Sequence, residues 1–105
     1  MTKPFTIALL QFSCELEREK NIARAVAMSR EAAAAGANLI CLPELFSTRY
    51  FCQREDTDHF AIAEPVPGPT SSLFLDLAKE LNVSFVVSLF ERRTAGLYHN
   101  TACVV

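Results

Sequence analysis

The sequence predicts an α/β fold, a mixed sheet with helices laid on its outer face. Three observations predict it. Two short apolar runs, 5–12 and 39–42, flank a long stretch of helical periodicity, which is the pattern of a strand–helix–strand unit. A second helical stretch opens at Gly68-Pro69-Thr70 and leads into a third apolar run, Val83 to Phe90. A fourth run, Leu97 to Val105, returns after a short polar turn, so it pairs antiparallel with the third.

Each element has a local reason. Phe5 to Phe12 is mostly apolar and β-favouring, so it reads as a buried first strand. From Glu15 to Ala35 the chain is helical, with charged residues crowding its start; Ile22, Ala25, Val26, Ser29, Ala32 and Ala33 mark one face. The small residues on that stripe allow close packing on a sheet. Gly36 supplies the stop. The second strand, Leu39 to Leu42, ends at Pro43, which cannot donate to a sheet ladder. In the second helix Leu73, Leu77, Ala78 and Leu81 recur at helical spacing, and Asn82 ends it. Glu91 to Gly96 reads as the hairpin turn, with Arg92 and Arg93 at a solvated tip. Along the fourth strand Tyr98, Asn100, Ala102 and Val104 share one face.

Composition excludes several classes. The chain has 105 residues and a net charge of −2, which makes no electrostatic case for nucleic acid or an anionic lipid surface. No apolar run approaches the roughly 18 residues of a membrane span, and Met1-Thr2-Lys3-Pro4 has no signal-peptide pattern, so a cytoplasmic protein is expected. Cys14, Cys41, Cys52 and Cys103 show no paired spacing, so neither a disulfide framework nor a zinc site is expected; free, buried or half-buried thiols are.

The chemistry centres on Glu44. It is the first ionisable group past the C-terminal end of a buried strand, the place where ligand sites collect in open α/β sheets. Leu45 and Phe46 follow at once, so apolar neighbours are expected to restrict water around the carboxylate, a setting that suits a general base. The competing reading is a hydrogen-bonded acid that merely closes the strand end. Between 51 and 69 the chain is too long for an idle connection and reads as a binding loop or lid. In it His59 follows three acids and reads as a solvated surface histidine rather than a catalytic acid. Tyr50 and Phe51 are the better pocket candidates, with ordinary core packing as their alternative.

Ala35 to Phe46, Ala-Gly-Ala-Asn-Leu-Ile-Cys-Leu-Pro-Glu-Leu-Phe, resembles the first catalytic segment of the nitrilase superfamily of carbon–nitrogen hydrolases. The next residues, Ser47-Thr48-Arg49-Tyr50-Phe51-Cys52-Gln53, look like its N-carbamoylputrescine amidase branch; Arg49 departs from the proline often found there. The resemblance runs from Phe5 to Val105. It implies a four-layer αββα sandwich, usually paired into dimers or larger homo-oligomers, and a Glu-Lys-Cys triad in which Glu44 is the glutamate. The lysine and the nucleophilic cysteine then belong beyond residue 105, and none of the four cysteines present fits, although Cys52 is close to Glu44 in sequence. In the amidases this stretch resembles the tyrosine faces the substrate, which puts Tyr50 in the pocket. Asn100 stands in a Tyr-x-Asn-Thr-Ala run resembling one found across the superfamily, and a structural hydrogen bond rather than a part in the chemistry is expected of it.

The implied activity is hydrolysis of a non-peptide C–N bond in a small carbamoyl or amide substrate. The ureido group of N-carbamoylputrescine leads, giving putrescine, carbon dioxide and ammonia. The rivals are another amidase of the superfamily, such as a β-ureidopropionase, and a non-catalytic interaction module. No metal or organic cofactor is implied. Because Thr101 to Val105 stops in an apolar strand without a cap or polar tail, the chain reads as the N-terminal part of a longer hydrolase domain.

Overall fold

The computed structural model describes residues 4–47 and 63–105. Its elements are β1 (Ile7–Leu9), α1 (Arg18–Ala34), β2 (Leu39–Cys41), α2 (Pro69–Leu81), β3 (Ser84–Thr94) and β4 (Leu97–Val104). The sheet order is β1-β2-β3-β4; the first two pairings are parallel and β3 with β4 is antiparallel. The expected mixed α/β sheet is the observed one.

The two faces of this sheet differ. Ile40, Phe85, Val87 and Leu89 point to the face carrying α1 and α2, where they pack with Ala25, Phe74, Leu77 and Ala78. Phe46, Phe74 and Phe85 meet edge to face, at centroid distances of 5.4 and 5.2 Å. Burying side chains of this size contributes roughly 1.5–3 kcal/mol each. The opposite face is open among the described residues: Ile7, Leu9 and Val104 are 54, 77 and 73% exposed. The first strand is therefore not buried on both sides as expected, and its paired part is limited to Ile7–Leu9.

Two further expectations shift for long-range reasons. Helix α1 starts at Arg18 rather than Glu15. The Asn21 side chain holds both the N–H and the carbonyl of Glu15, so that segment stays outside the helix. The hairpin turn is confined to residues 95–96, and β3 continues through Glu91, Arg92 and Arg93 to Thr94. Glu91 is buried there, accepting from Thr101 Oγ1 at 2.7 Å, and Glu64 pairs with the backbone beside it. The arginine pair is exposed as expected. At the start of α2, a Cβ on Gly68 would meet the Pro65 carbonyl oxygen at 2.1 Å, so only glycine fits the approach.

Candidate active site

Strand β2 leaves the sheet where its chemistry stops it. Leu42 N–H still donates to the Val86 carbonyl at 3.1 Å, and Pro43 has no N–H to continue the ladder. Residues 44–47 then form a turn in which Leu45 adopts φ +49°, the left-handed region that branched side chains avoid. Such a conformation costs on the order of 1 kcal/mol and persists only where the surroundings over-determine it.

Here four side chains or packing contacts do so. Leu45 is buried, and its N–H donates to Ser88 Oγ at 3.0 Å. Phe46 is locked against Phe74, and its carbonyl accepts from Cys14 Sγ at 3.0 Å. The Ser47 carbonyl accepts from Asn21 Nδ2 at 3.0 Å. The turn is thus tied to β3, α2, α1 and the segment before α1. A backbone held from so many directions fixes where the exposed Glu44 side chain starts.

Glu44 points to the open face. The expected apolar enclosure is not present: Leu45 and Phe46 turn inward to the core, and the carboxylate is exposed. A rigid turn splits the segment by direction, sending the apolar pair to one side and the acid to the other. Glu44 Oε1 accepts from Asn100 Nδ2 at 2.7 Å, across 56 residues of sequence. The hydrogen bond expected of Asn100 is there, with the candidate base as its partner. Among the described residues Oε2 has no partner. One oxygen held and one available is an arrangement that can accept a proton in a defined direction.

The sequence pattern of the carbon-nitrogen hydrolase family matches residues 6–105. This chain belongs to the carbon-nitrogen hydrolase family. It is 41% identical to the N-carbamoylputrescine amidase of Solanum lycopersicum over 100 residues, 94% of this chain and 33% of that protein. It is 33% identical to the omega-amidase NIT2 of Mus musculus, over 95% of this chain and 35% of that protein. A crystal structure of a carbon-nitrogen hydrolase from Helicobacter pylori G27 superposes with a TM-score of 0.87 at 33% identity, covering 95% of this chain and 35% of that one. The chain therefore spans about a third of the length of the relatives it matches.

Within this carbon-nitrogen hydrolase chain the other sequence candidates separate. Tyr50, Phe51, Cys52 and His59 lie outside the described residues. Cys14, Cys41 and Cys103 are free and half-buried. Burial pushes the Cys14 thiol up against the opposing charge of Arg24, and burial likewise pushes the Cys103 thiol up. Neither environment favours a thiolate nucleophile. Among the described residues no group of His, Cys, Asp and Glu could hold a metal ion, and no helix is long and apolar enough to cross a membrane.

Sequence reasoning missed the residues that build the frame. Asn21 is a polar residue beside the apolar stripe of α1, a signal that it has a buried partner. Ser88 alternates into the open face of β3 next to the Glu44 turn. Glu64 stands just before the Pro-rich entry to α2, where an acid can cap the helix. Its Oε1 accepts from Thr70 N–H at 3.0 Å, its Oε2 accepts from Thr70 Oγ1 at 2.9 Å, and Arg18 pairs with the same carboxylate.

Proposed function

We propose that this chain contributes the glutamate base to a hydrolase of non-peptide C–N bonds, acting on the ureido group of N-carbamoylputrescine. The products are putrescine, carbon dioxide and ammonia, with one water consumed. The observation that carries this reading is Glu44 itself: an exposed carboxylate on a braced turn at the end of a parallel strand, with one oxygen held by Asn100. In this reading Glu44 takes the proton of a cysteine thiol as the sulfur attacks the carbonyl carbon. It then passes the proton to the departing amine and draws another from the hydrolytic water. A lysine ammonium stabilises the oxyanion. That lysine and that cysteine belong to a stretch past residue 105, so the 105 residues are read as the N-terminal part of a single hydrolase domain.

The similarity to an N-carbamoylputrescine amidase supports the carbamoyl substrate, and the similarity to an omega-amidase supports a second reading, a simple amide substrate on the same machinery. Tyr50 is assigned to the substrate pocket because its stretch resembles that of amidases in which the tyrosine faces the substrate. A diamine pocket offers an acidic group to the far ammonium, whereas an amino-acid pocket offers a basic one. Turnover of N-carbamoylputrescine beside an ω-amide by the complete domain separates the two readings. Tyr50→Ala should then raise KM or lower kcat/KM while the melting temperature holds. A purely thermal effect would return Tyr50 to the core. A cytoplasmic homo-oligomer goes with this reading, and light scattering of the complete domain checks the assembly.

A further inference from the structure

The geometry points to Asn100 as the positioning residue that aims the Glu44 carboxylate, an assignment that rests on Glu44 being the base. Three observations place it. Asn100 is paired with Phe90 in the β3–β4 ladder, so its backbone is fixed by the sheet rather than by a loop. Its side chain points to the open face, as its partner Phe90 does, and reaches past β3 to the turn that follows β2. The Nδ2–Oε1 distance of 2.7 Å lies in the range of charge-assisted hydrogen bonds. An ionised carboxylate can only accept, so the amide must present its NH₂ group there and not its carbonyl oxygen.

The contact has work to do because the side chain it holds is exposed. The braced backbone fixes where Glu44 begins, and nothing in that frame fixes where its carboxylate ends: Ser88, Cys14 and Asn21 all bind main-chain atoms of residues 45–47. Asn100 is the described side chain that touches the carboxylate itself. With Oε1 held, Oε2, which has no partner among the described residues, is assigned as the proton acceptor. Backbone brace and side-chain clamp come from adjacent strands, Ser88 on β3 and Asn100 on β4, and both residues face the same side of the sheet. A role confined to folding would not need the amide to meet the one oxygen pair the chemistry uses.

The test uses the complete hydrolase domain, N-carbamoylputrescine as substrate, and a double-mutant cycle of Asn100→Ala with Glu44→Gln, with Asn100→Asp as a shape-preserving control. Misplacing a catalytic group typically costs up to about 10²-fold, so Asn100→Ala is expected to lower kcat about 10- to 100-fold while KM moves less than about twofold. Asn100→Asp keeps the shape but sets acceptor against acceptor, and is expected to lose more. In the Glu44→Gln background Asn100→Ala is expected to cost less than about twofold further, because there is no base left to aim. An unchanged kcat in Asn100→Ala, or a loss that repeats in full in the Glu44→Gln background, overturns the assignment while leaving Glu44 as base. A near-normal kcat in Glu44→Gln alone overturns the reading on which it rests. A drop in melting temperature with kcat intact would make Asn100 a brace of the sheet and also overturn the assignment.

Discussion

Two kinds of carboxylate sit on opposite faces of the same sheet. Glu64 and Glu91 lie on the helix-covered side, buried, with their oxygens engaged: Glu64 by Thr70 and Arg18, Glu91 by Thr101 and Arg93. Glu44 lies on the open side, exposed, with one oxygen bound to an amide and no cation on it among the described residues. A buried acid costs stability unless its lone pairs are satisfied, so structural acids saturate. An acid that has to take up a proton must leave a lone pair free. A free lone pair is what the role proposed for Glu44 requires, and the saturated pair does not offer one.

Breaking the saturated side should affect folding first. Glu64→Gln removes the charge opposite Arg18 and turns one acceptor of Thr70 into a donor. Because Arg18 is part-exposed, the loss should fall below that of a fully buried pair, about 2–3 kcal/mol, read from urea unfolding. If Glu64→Gln unfolds at the wild-type midpoint, the buried cluster is not holding α2 to the sheet. Ser88→Ala should sharpen the boundary between frame and site. It leaves the Leu45 N–H without its acceptor, so about 1 kcal/mol of stability and a modest loss of kcat should go together. A kinetic loss without a thermal one would mean that Ser88 touches substrate.

The smallest effect concerns acid. The Thr101 hydroxyl, followed by Arg93, holds the Glu91 carboxyl below its ordinary value of 4.5, despite the burial that opposes this. A group lowered in the folded state stabilises above its unfolded value. That contribution is lost as pH falls from about 4.5 through the lower folded value, where the folded form also takes up the proton. Glu91→Gln should therefore flatten the acid limb of the stability curve below pH 4.5 and leave its neutral limb parallel to wild type. Melting temperatures across pH 3–6 (roughly the carboxylate range) for both proteins check this.

Much of the frame was legible because its causes are local. Pro43 ends β2, Gly36 stops α1, and the Gly68-Pro69 entry starts α2, each through a property of one residue. Alternation along β3 and β4 placed Asn100 and Tyr98 on one face, as found. What the sequence could not show depends on distant partners. Glu91 looked like a turn residue because Thr101 and the Glu64 bridge are needed to bury it. The start of α1 was set by the Asn21 amide, not by helix propensity. Glu44 was placed at the strand end correctly, but its exposure follows from the left-handed turn at Leu45, which no periodicity announces. Its clamp by Asn100 joins residues 56 apart in sequence.

The most direct test sets the two kinds of acid side by side. Glu44→Gln and Glu64→Gln are made in the complete hydrolase domain, and kcat for N-carbamoylputrescine is measured beside a melting curve on the same preparations. Loss of a general base typically costs about 10²–10⁴-fold in rate. The expected result is a crossing: Glu44→Gln melts with wild type and loses activity on that scale, while Glu64→Gln melts early and its folded fraction turns over within about threefold of wild type. If Glu44→Gln keeps near-normal kcat, the exposed carboxylate only closes the strand end, and the account of this site is wrong.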